Sequence, residues 1–420
     1  MKTPQSQSLQ LRQHQHQRLG ALLGVLLFLA SPLEAVDFGL LFKQSAGLDD
    51  AFSGDMRLAK WSGSFIPWFS AMLIDNGDLY VSAALTPRVD NLDFAVIPEL
   101  LRTEVTLRSG RGTGFRFGRG TYVDPLGLIA AGLFDGAQLA QDVGEGVLSV
   151  GTWYTGLQYK KTANITVSPR DQVNLLRGYD SDDVATYFAG QRLLAAVDWE
   201  HPAVGGLARV KLAALGQFDL NGEDDRYHSE YFAGKVTMPY RNQLVFEAGG
   251  ALELLQTPDD EAKLGLAAEL GLAWMPPTAI RDQFSLTGRY GSGKADDTPL
   301  GFFMPLTTVA QGEVLQAKLS GLTHLRAAYT ARLHETFSAQ LSASYFLKSS
   351  KLTTVEWTGV EIHADKYALG GEAYMNLVAN PVSDLYLTFG SGVFLPQLGD
   401  VAPKKAALWK FEMSLTLAVF

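Results

Sequence analysis

The chain has 420 residues with 35 Lys or Arg against 44 Asp or Glu, which gives a formal net charge of −9 at pH 7. An acidic chain repels phosphate backbones, so nucleic-acid binding is disfavoured. Cysteine is absent, which excludes a disulfide framework, a thiolate metal site and a lipid-anchored N-terminal Cys.

Residues 1–35 have the three parts of a secretory signal peptide. Three basic residues precede an apolar run from Leu19 to Ala30, and a short exit ends at Ala35. The run is too short to cross a bilayer as a helix. We therefore predict export and cleavage after Ala35. The mature chain, residues 36–420, then carries a net charge of −11, because three basic residues and one acidic residue are removed.

Beyond Ala35 no apolar run approaches the roughly 20 residues of a membrane helix. Segments of about ten residues instead alternate apolar and polar side chains. From Phe337 to Lys348 the odd positions read Phe, Ala, Leu, Ala, Tyr, Leu and the even positions Ser, Gln, Ser, Ser, Phe, Lys. A soluble β-sandwich also alternates. Here, however, neighbouring segments follow one another through short turns, as an up-and-down meander requires.

The connections between these segments alternate in length. Short turns are predicted at Asp75 to Gly77, His201 to Gly206, Tyr240 to Asn242, His334 to Thr336 and Asn380 to Ser383. Longer polar loops are predicted at Lys160 to Gln191, Gly291 to Gly312 and Ser349 to Asp365. Short periplasmic turns and long outer loops are typical of outer-membrane barrels. We predict an all-β fold: a single transmembrane antiparallel up-and-down barrel of about 18 strands, or 16 if two segments are loops.

The C-terminal segment carries a separate signal. Trp409, Phe411, Met413 and the apolar residues that follow alternate with polar ones, and the chain stops at Phe420. A last strand that ends in an aromatic residue resembles the signal by which the barrel-assembly machinery recognises bacterial outer-membrane barrels. Phe420 departs from the family pattern because it lies on the face opposite to the apolar series.

A second resemblance covers Phe115 to Gly136. Phe117-Gly118-Arg119-Gly120, then Asp124-Pro125 and Phe134-Asp135-Gly136, are similar to the Gly-Arg and Asp-Gly landmarks of 18-stranded alginate-export-type porins. This resemblance implies the same strand number and a porin class. It does not extend to a polysaccharide substrate.

Many charged residues share the polar phase of their strands. An Arg at the bilayer midplane costs about 2 to 4 kcal/mol, so these side chains are expected to point into the lumen. Basic rows in a lumen select anions, whereas an alternative is that the charges only pair and hydrate the wall. The predicted pore-lining residues are Arg102, Glu104, Arg108, Arg116, Arg209, Lys211, Arg289, Arg326 and Arg332. Further acids in the same phase are Glu247, Glu253, Glu269 and Glu412.

Neither a metal site nor a catalytic site is predicted. Carboxylate clusters in loops raise Ca²⁺ binding or an inward-folded loop as alternatives to plain solvation, but no spacing matches a complete Ca²⁺ loop. These clusters are Tyr179 to Asp183, Glu223 to Asp225, Asp259 to Glu261 and Asp296-Asp297. No serine elbow or metal pair accompanies the five histidines of the mature chain, which are His201, His228, His324, His334 and His363.

The sequence thus predicts an outer-membrane porin or channel for passive diffusion of small hydrophilic solutes, with anions as candidates. The expected partners are outer-membrane lipid, the barrel-assembly machinery and small solutes, without nucleic acid, cofactor or enzymatic activity. A surface adhesin or structural barrel and a channel for apolar molecules stay open as alternatives.

Overall fold

A computed structural model of the chain describes residues 36–49, 60–90, 93–110, 112–221, 226–258, 262–294, 300–351, 365–401 and 407–420. The predicted signal peptide, the acidic clusters at 223–225, 259–261 and 296–297, and His363 lie outside these residues. Cleavage after Ala35 therefore stays a prediction.

Across the described residues, 18 antiparallel strands close into one barrel, which confirms the predicted fold class and strand number. Each strand pairs with the next along the chain, and β1 pairs with β18 to close the ring, with Leu40 opposite Val419. The strands are β1 Val36–Asp49, β2 Lys60–Ile74, β3 Gly77–Asp90, β4 Asp93–Ser109, β5 Thr113–Val123, β6 Ala131–Val143, β7 Gly146–Tyr154, β8 Arg192–Val204, β9 Ala208–Asp219, β10 His228–Tyr240, β11 Leu244–Gln256, β12 Lys263–Trp274, β13 Gln283–Gly291, β14 Leu322–His334, β15 Phe337–Lys348, β16 Ala368–Val382, β17 Leu385–Leu395 and β18 Leu408–Val419.

The alternation of side chains gives the barrel an apolar outer face and a polar inner face. In β15, Leu341 points outward with 54% of its surface exposed, whereas Ser342 and Ser344 point inward and are buried. Exposed apolar residues recur at the same outer positions of other strands, as at Phe232 and Leu270. The predicted phase of β15 is therefore confirmed.

The predicted short turns and the predicted long loops lie at opposite ends of the barrel. We call these ends the turn rim and the loop rim. All five predicted short turns lie at the turn rim, and the three predicted long loops leave the loop rim. Some strands run further than expected: β8 includes His201 and continues to Val204, with a register shift between these two residues. The bulged ends leave only residues 205–207 as the connecting turn.

Two of the long loops fold into the barrel: the first loop, residues 155–191, and the second loop, which follows β13 and ends before β14. Residues 155–191 contain the helices α1 (Lys160–Ala163) and α2 (Pro169–Leu176) and a 3₁₀ turn at Val184–Thr186. Helix α2 begins at a capping box in which Ser168 and Asp171 bond each other's backbone N–H. A second 3₁₀ turn, Pro396–Leu398, follows β17. Within the described residues no helix has the length and apolarity needed to cross a membrane.

The Gly-Arg and Asp-Gly landmarks form one structural unit. Arg119 of β5 binds Asp135 of β6 through two hydrogen bonds of 2.7 Å. The same guanidinium donates to the carbonyls of Leu100 in β4 and Leu157 in the following loop. Gly118 has φ of +115°, and a Cβ there would lie 2.2 Å from the Thr103 carbonyl oxygen. The landmarks therefore tie three strands and a loop together.

We expect Arg119→Met to destabilise the barrel by about 3 kcal/mol, because Asp135 would be left as a largely buried, unpaired carboxylate. The measurement is the urea midpoint at which the heat-modifiable folded band is lost on gels. In the matched double variant Arg119→Met with Asp135→Leu, the urea midpoint should rise part of the way back to that of the unaltered protein. An unchanged midpoint in the single variant would show that the ion pair contributes no stability.

The rim assignment predicts which trypsin sites are accessible on intact cells. Arg177 is exposed at the loop rim, whereas Arg241 and Arg281 are exposed at the turn rim. Trypsin should cut after Arg177 in intact cells and after Arg241 only once the outer membrane is permeabilised. Mass spectrometry of the fragments checks both sites, and cleavage after Arg241 in intact cells would mean that the barrel is inserted the other way round.

Candidate functional site

An apolar cluster inside the barrel joins the inward loops to one side of the wall. Ile165 and Val167 of the first loop and Phe303 and Leu306 of the second are almost fully buried in this cluster. The wall contributes small inner-face residues that leave room for the loops, namely Ala196, Ala213, Ala233, Ala251 and Ala267. Strands β5 to β12 therefore face packed protein at this level rather than water.

Buried polar contacts fix the first loop, residues 155–191. The guanidinium of Arg192, at 0% exposure, lies 2.7 Å from Asp171 of α2 and 3.2 Å from Asp219 of β9. It also donates to Gln217 at 2.6 Å. A buried charge is tolerated only when it is paired, and here two carboxylates share one guanidinium. Helix α2 is thus attached to the wall.

The same loop reaches across the lumen to β4. Thr162 donates to Glu99 over 3.0 Å, and the Tyr187 hydroxyl donates to the Pro98 carbonyl over 2.7 Å. Burial raises the pKa of the Tyr187 hydroxyl to about 12. A tyrosine hydroxyl is protonated at neutral pH even at its ordinary pKa, so it can act as the donor here. The loop therefore bridges strands that are not neighbours and narrows the lumen.

Two carboxylates of the wall hold the second loop, of which residues 292–294 and 300–321 are described. Glu253 accepts from the Met304 backbone N–H at 2.6 Å and from Ser229 at 2.9 Å. Glu372 of β16 accepts from the backbone N–H groups of residues 313–315 at 2.7 to 2.9 Å. A carboxylate that accepts several N–H bonds, as Glu372 does, makes strong, charge-assisted contacts. The contact between Glu372 and the backbone of residues 313–315 places Glu313 in the lumen.

In a short third loop, residues 124–130, the side chain of the first residue binds the backbone of the residues that follow. The buried carboxylate of Asp124 accepts from four backbone N–H groups between Leu126 and Ala130. Burial raises the pKa of Asp124, and the four donors act in the opposite direction. The Thr307 N–H then bonds the Ile129 carbonyl at 3.0 Å, which links this loop to the second long loop.

The open part of the lumen lies beside β18 and β1 to β4. A cavity of about 640 Å³ runs between these strands and residues 159–162 of the first loop. Its lining is mixed in charge and divided about equally between polar and apolar surface, with Lys60, Arg88, Glu99, Lys161, Lys410 and Glu412 among its residues. A path for hydrophilic solutes is therefore off-centre, between the loops and this wall.

Three of the predicted pore residues form one cluster on β4 and β5. Arg102 donates from Nε to Glu104 at 2.8 Å, and Arg116 Nε lies 3.9 Å from the other oxygen of Glu104. The carboxylate is buried at 3% exposure, whereas the Arg102 side chain keeps 48%. Arg116 also donates to Gln138. Two cations flank one carboxylate, so the cluster presents positive charge to the lumen.

Arg209 and Lys211 repeat this arrangement on β9. Arg209 donates to Glu200 of β8 at 2.7 Å, and Lys211 lies 3.2 Å from the same carboxylate. Glu200 was not among the predicted residues, although it shares the inner phase of β8. Again two cations share one carboxylate.

The remaining predicted residues are dispersed. Arg289 pairs with Glu269 at 2.7 Å, and Lys235 lies 3.0 Å from Glu269 and from Glu247, so that this group is balanced in charge. Arg326 contacts Glu313 of the second loop at 3.3 Å. Arg108 and Arg332 lie near the turn rim, away from the loops. The nine residues therefore share the inner face but do not form one site.

No catalytic or metal centre emerges from the described residues. His324 is buried and stacks on Phe346 with ring centroids 4.7 Å apart, and His228 accepts from the Asp219 N–H. The described residues contain no group of three or more metal-ligating side chains. The acidic residues from Asp180 to Asp183 lie in an exposed turn, and the inward packing comes from other parts of that loop.

Arg192, Asp171 and Glu372 were not singled out from the sequence. Each of them joins a strand to a loop with no periodic pattern, so no local pattern pointed to these contacts. The loop contacts were visible only in three dimensions.

We expect Glu372→Ala to release residues 313–315 from the wall, because three N–H groups lose one charged acceptor. Hydrogen bonds to charged groups contribute about 1.5 to 3 kcal/mol, so amide exchange at these positions should rise by about tenfold or more. Glu247→Ala is the matched control, since Glu247 has no loop partner among the contacts of the described residues. Equal exchange in both variants would contradict the anchoring role.

No protein-family model and no curated protein matches the sequence. Solved structures do match the fold. OccK2 (OpdF) of Pseudomonas aeruginosa, in complex with glucuronate, has a TM-score of 0.63 at 12% identity over 92% of this chain and 98% of its own. OccK5 (OpdH) of the same organism gives 0.62 at 12% identity, over 92% and 99%. OprD, an outer-membrane protein of that organism, gives 0.59 at 12% identity, over 92% and 96%. The chain therefore has the barrel fold of these proteins, and the resemblance to outer-membrane barrels is confirmed at the level of fold.

Proposed function

We propose that this protein is a bacterial outer-membrane porin through which small hydrophilic solutes diffuse passively. The observation that carries the proposal is the cavity lined with charged residues beside β18 and β1 to β4, in a barrel whose inward loops leave that side open. Barrels of 16 to 18 strands enclose an aqueous channel. The turn rim then faces the periplasm and the loop rim the outside.

Anions are the solutes that the wall favours. The clusters at Glu104 and Glu200 each place two cations on one carboxylate, whereas the group at Glu269 is balanced. Charges inside a narrow lumen act at short range, while loop charges bathed in salt are largely screened beyond about 10 Å at 0.1 M. Local wall charge therefore outweighs the acidic total. The glucuronate bound to OccK2 is an organic anion held by a protein of the same fold.

The proposal includes no catalytic step and no cofactor. The proposed partners of the protein are the outer-membrane lipid around the apolar face, the barrel-assembly machinery that recognises the strand ending at Phe420, and the diffusing solutes. Removal of residues 1–35 during export completes the mature protein.

Planar-bilayer recording of the refolded protein tests the function. A stable open level in KCl is expected, with a conductance that grows with salt concentration. A surface adhesin or a structural barrel with a closed lumen would give no stable open level, and a channel for apolar molecules would give little ion current. Either result would overturn the proposal.

The proposed preference for anions can be tested at the charged clusters of the wall. In a salt gradient, Arg102→Gln with Arg116→Gln should shift the reversal potential toward cation selectivity, because Glu104 is left without its two cations. Adding Glu104→Gln should return part of the shift. The pair Arg326→Gln with Arg332→Gln tests β14 in the same way, and we expect a smaller shift there because Arg326 is already paired with Glu313.

Arg241→Gln is the control for this series, since Arg241 lies at the tip of a turn outside the lumen. Its reversal potential should equal that of the unaltered protein. An unchanged potential in the Arg102 and Arg116 variant, with normal heat-modifiable folding, would show that this cluster does not line the conducting path.

A further inference from the structure

Three aromatic side chains lie together on the inner face near the turn rim. Trp68 of β2 and Tyr80 of β3 share the inner phase with Ser82, whose buried hydroxyl donates to the Arg102 carbonyl. Phe420 follows Val419, which pairs with Leu40, so the terminal ring comes next to Gly39. Gly39 in turn pairs with Trp68. The last residue of the chain therefore joins an aromatic row that crosses β18, β1, β2 and β3.

The rings form a continuous surface. Trp68 and Tyr80 have ring centroids 6.1 Å apart and planes that differ by 12°. The ring of Phe420 meets Trp68 edge-on, with centroids 6.2 Å apart. A Cβ at position 39 would lie 2.8 Å from the indole, so the indole rests directly on the backbone at Gly39. Only a residue without a side chain leaves space for this placement.

This surface is not part of the barrel's packed interior. None of the three rings belongs to either buried apolar cluster, and Phe420 keeps 79% of its surface exposed. Serine and threonine occupy nearby inner positions, as at Ser70 and Thr416. Rings on the inner face have no lipid contact that would bury their apolar surface. A cluster of apolar side chains left open to water is a common feature of binding surfaces.

A cation borders the rings. The Arg102 guanidinium carbon lies 4.6 Å from the centre of the Tyr80 ring, within cation–π distance. Its side chain is half exposed, and Arg116 adds a second cation on the same carboxylate. An aromatic surface with a half-exposed guanidinium at its edge can hold a solute that combines a flat ring with an anionic group.

We propose that Trp68, Tyr80 and Phe420 form a stacking platform at the turn-rim exit of the lumen, and that it retains solutes with a planar ring over chain solutes of equal charge and size. The inference rests on the proposed porin function and adds a subsite to it. Each ring of the platform contributes an aromatic contact, and the charge of the solute is matched by Arg102.

Benzoate and heptanoate provide a matched pair of probes, since both are carboxylates of seven carbons and one of them carries the ring. The half-saturation concentration of uptake into proteoliposomes is measured for each. Trp68→Leu should raise the value for benzoate by about twofold to tenfold, the range that one aromatic contact gives, and leave that for heptanoate unchanged. Trp274→Leu is the control, because Trp274 lies on the outer face of β12, in phase with the exposed Leu270.

Folding controls and substitute variants separate the platform from the porin function. KCl conductance and heat-modifiable migration establish folding of each variant, and Tyr80→Leu and Phe420→Leu replace Trp68→Leu if that variant does not fold. Equal ratios of benzoate to heptanoate in all folded variants would overturn the platform while the porin function stands. An equal loss for both probes would mean an unspecific apolar surface and would also overturn it. Absence of conductance in the unaltered protein would instead overturn the porin function.

Discussion

A bilayer offers no water to a spanning backbone, so every N–H and C=O within it must bond inside the protein. Strands meet this condition only when the sheet has no edge, and here the pairing of β1 with β18 removes the last one. Closure also separates the two faces, because side chains alternate across every strand. The apolar series lies on the outer face, where we propose that it contacts lipid, and the charges that lipid would exclude are collected inside.

A ring of 18 strands is wider than its own side chains can fill, and the loops supply the rest of the interior. A loop buried there must satisfy its backbone groups and any charge it carries. Arg192 between Asp171 and Asp219, and Glu372 beneath residues 313–315, meet this requirement. The same contacts hold the loops to one side and leave the path along β18 and β1 to β4.

Position inside the barrel decides what a charge does. The chain is acidic, yet two wall clusters each set two cations against one carboxylate, while Asp180 and its neighbours lie in an exposed turn. The phase of Phe420 has a similar consequence. Its departure from the usual pattern was visible in the sequence, and the structure places the ring against Trp68 on the inner face.

The sequence by itself determined the fold class, the strand number, the two rims and the inner phase of residues such as Arg102 and Arg209, because a period of two and the length of a turn are local properties. Only the tertiary structure decided which charges meet. Arg119 with Asp135, Arg192 with Asp171 and the seat of Trp68 on Gly39 depend on register between strands and on loops without periodicity. Those contacts join residues far apart in the chain, and no local pattern encodes them.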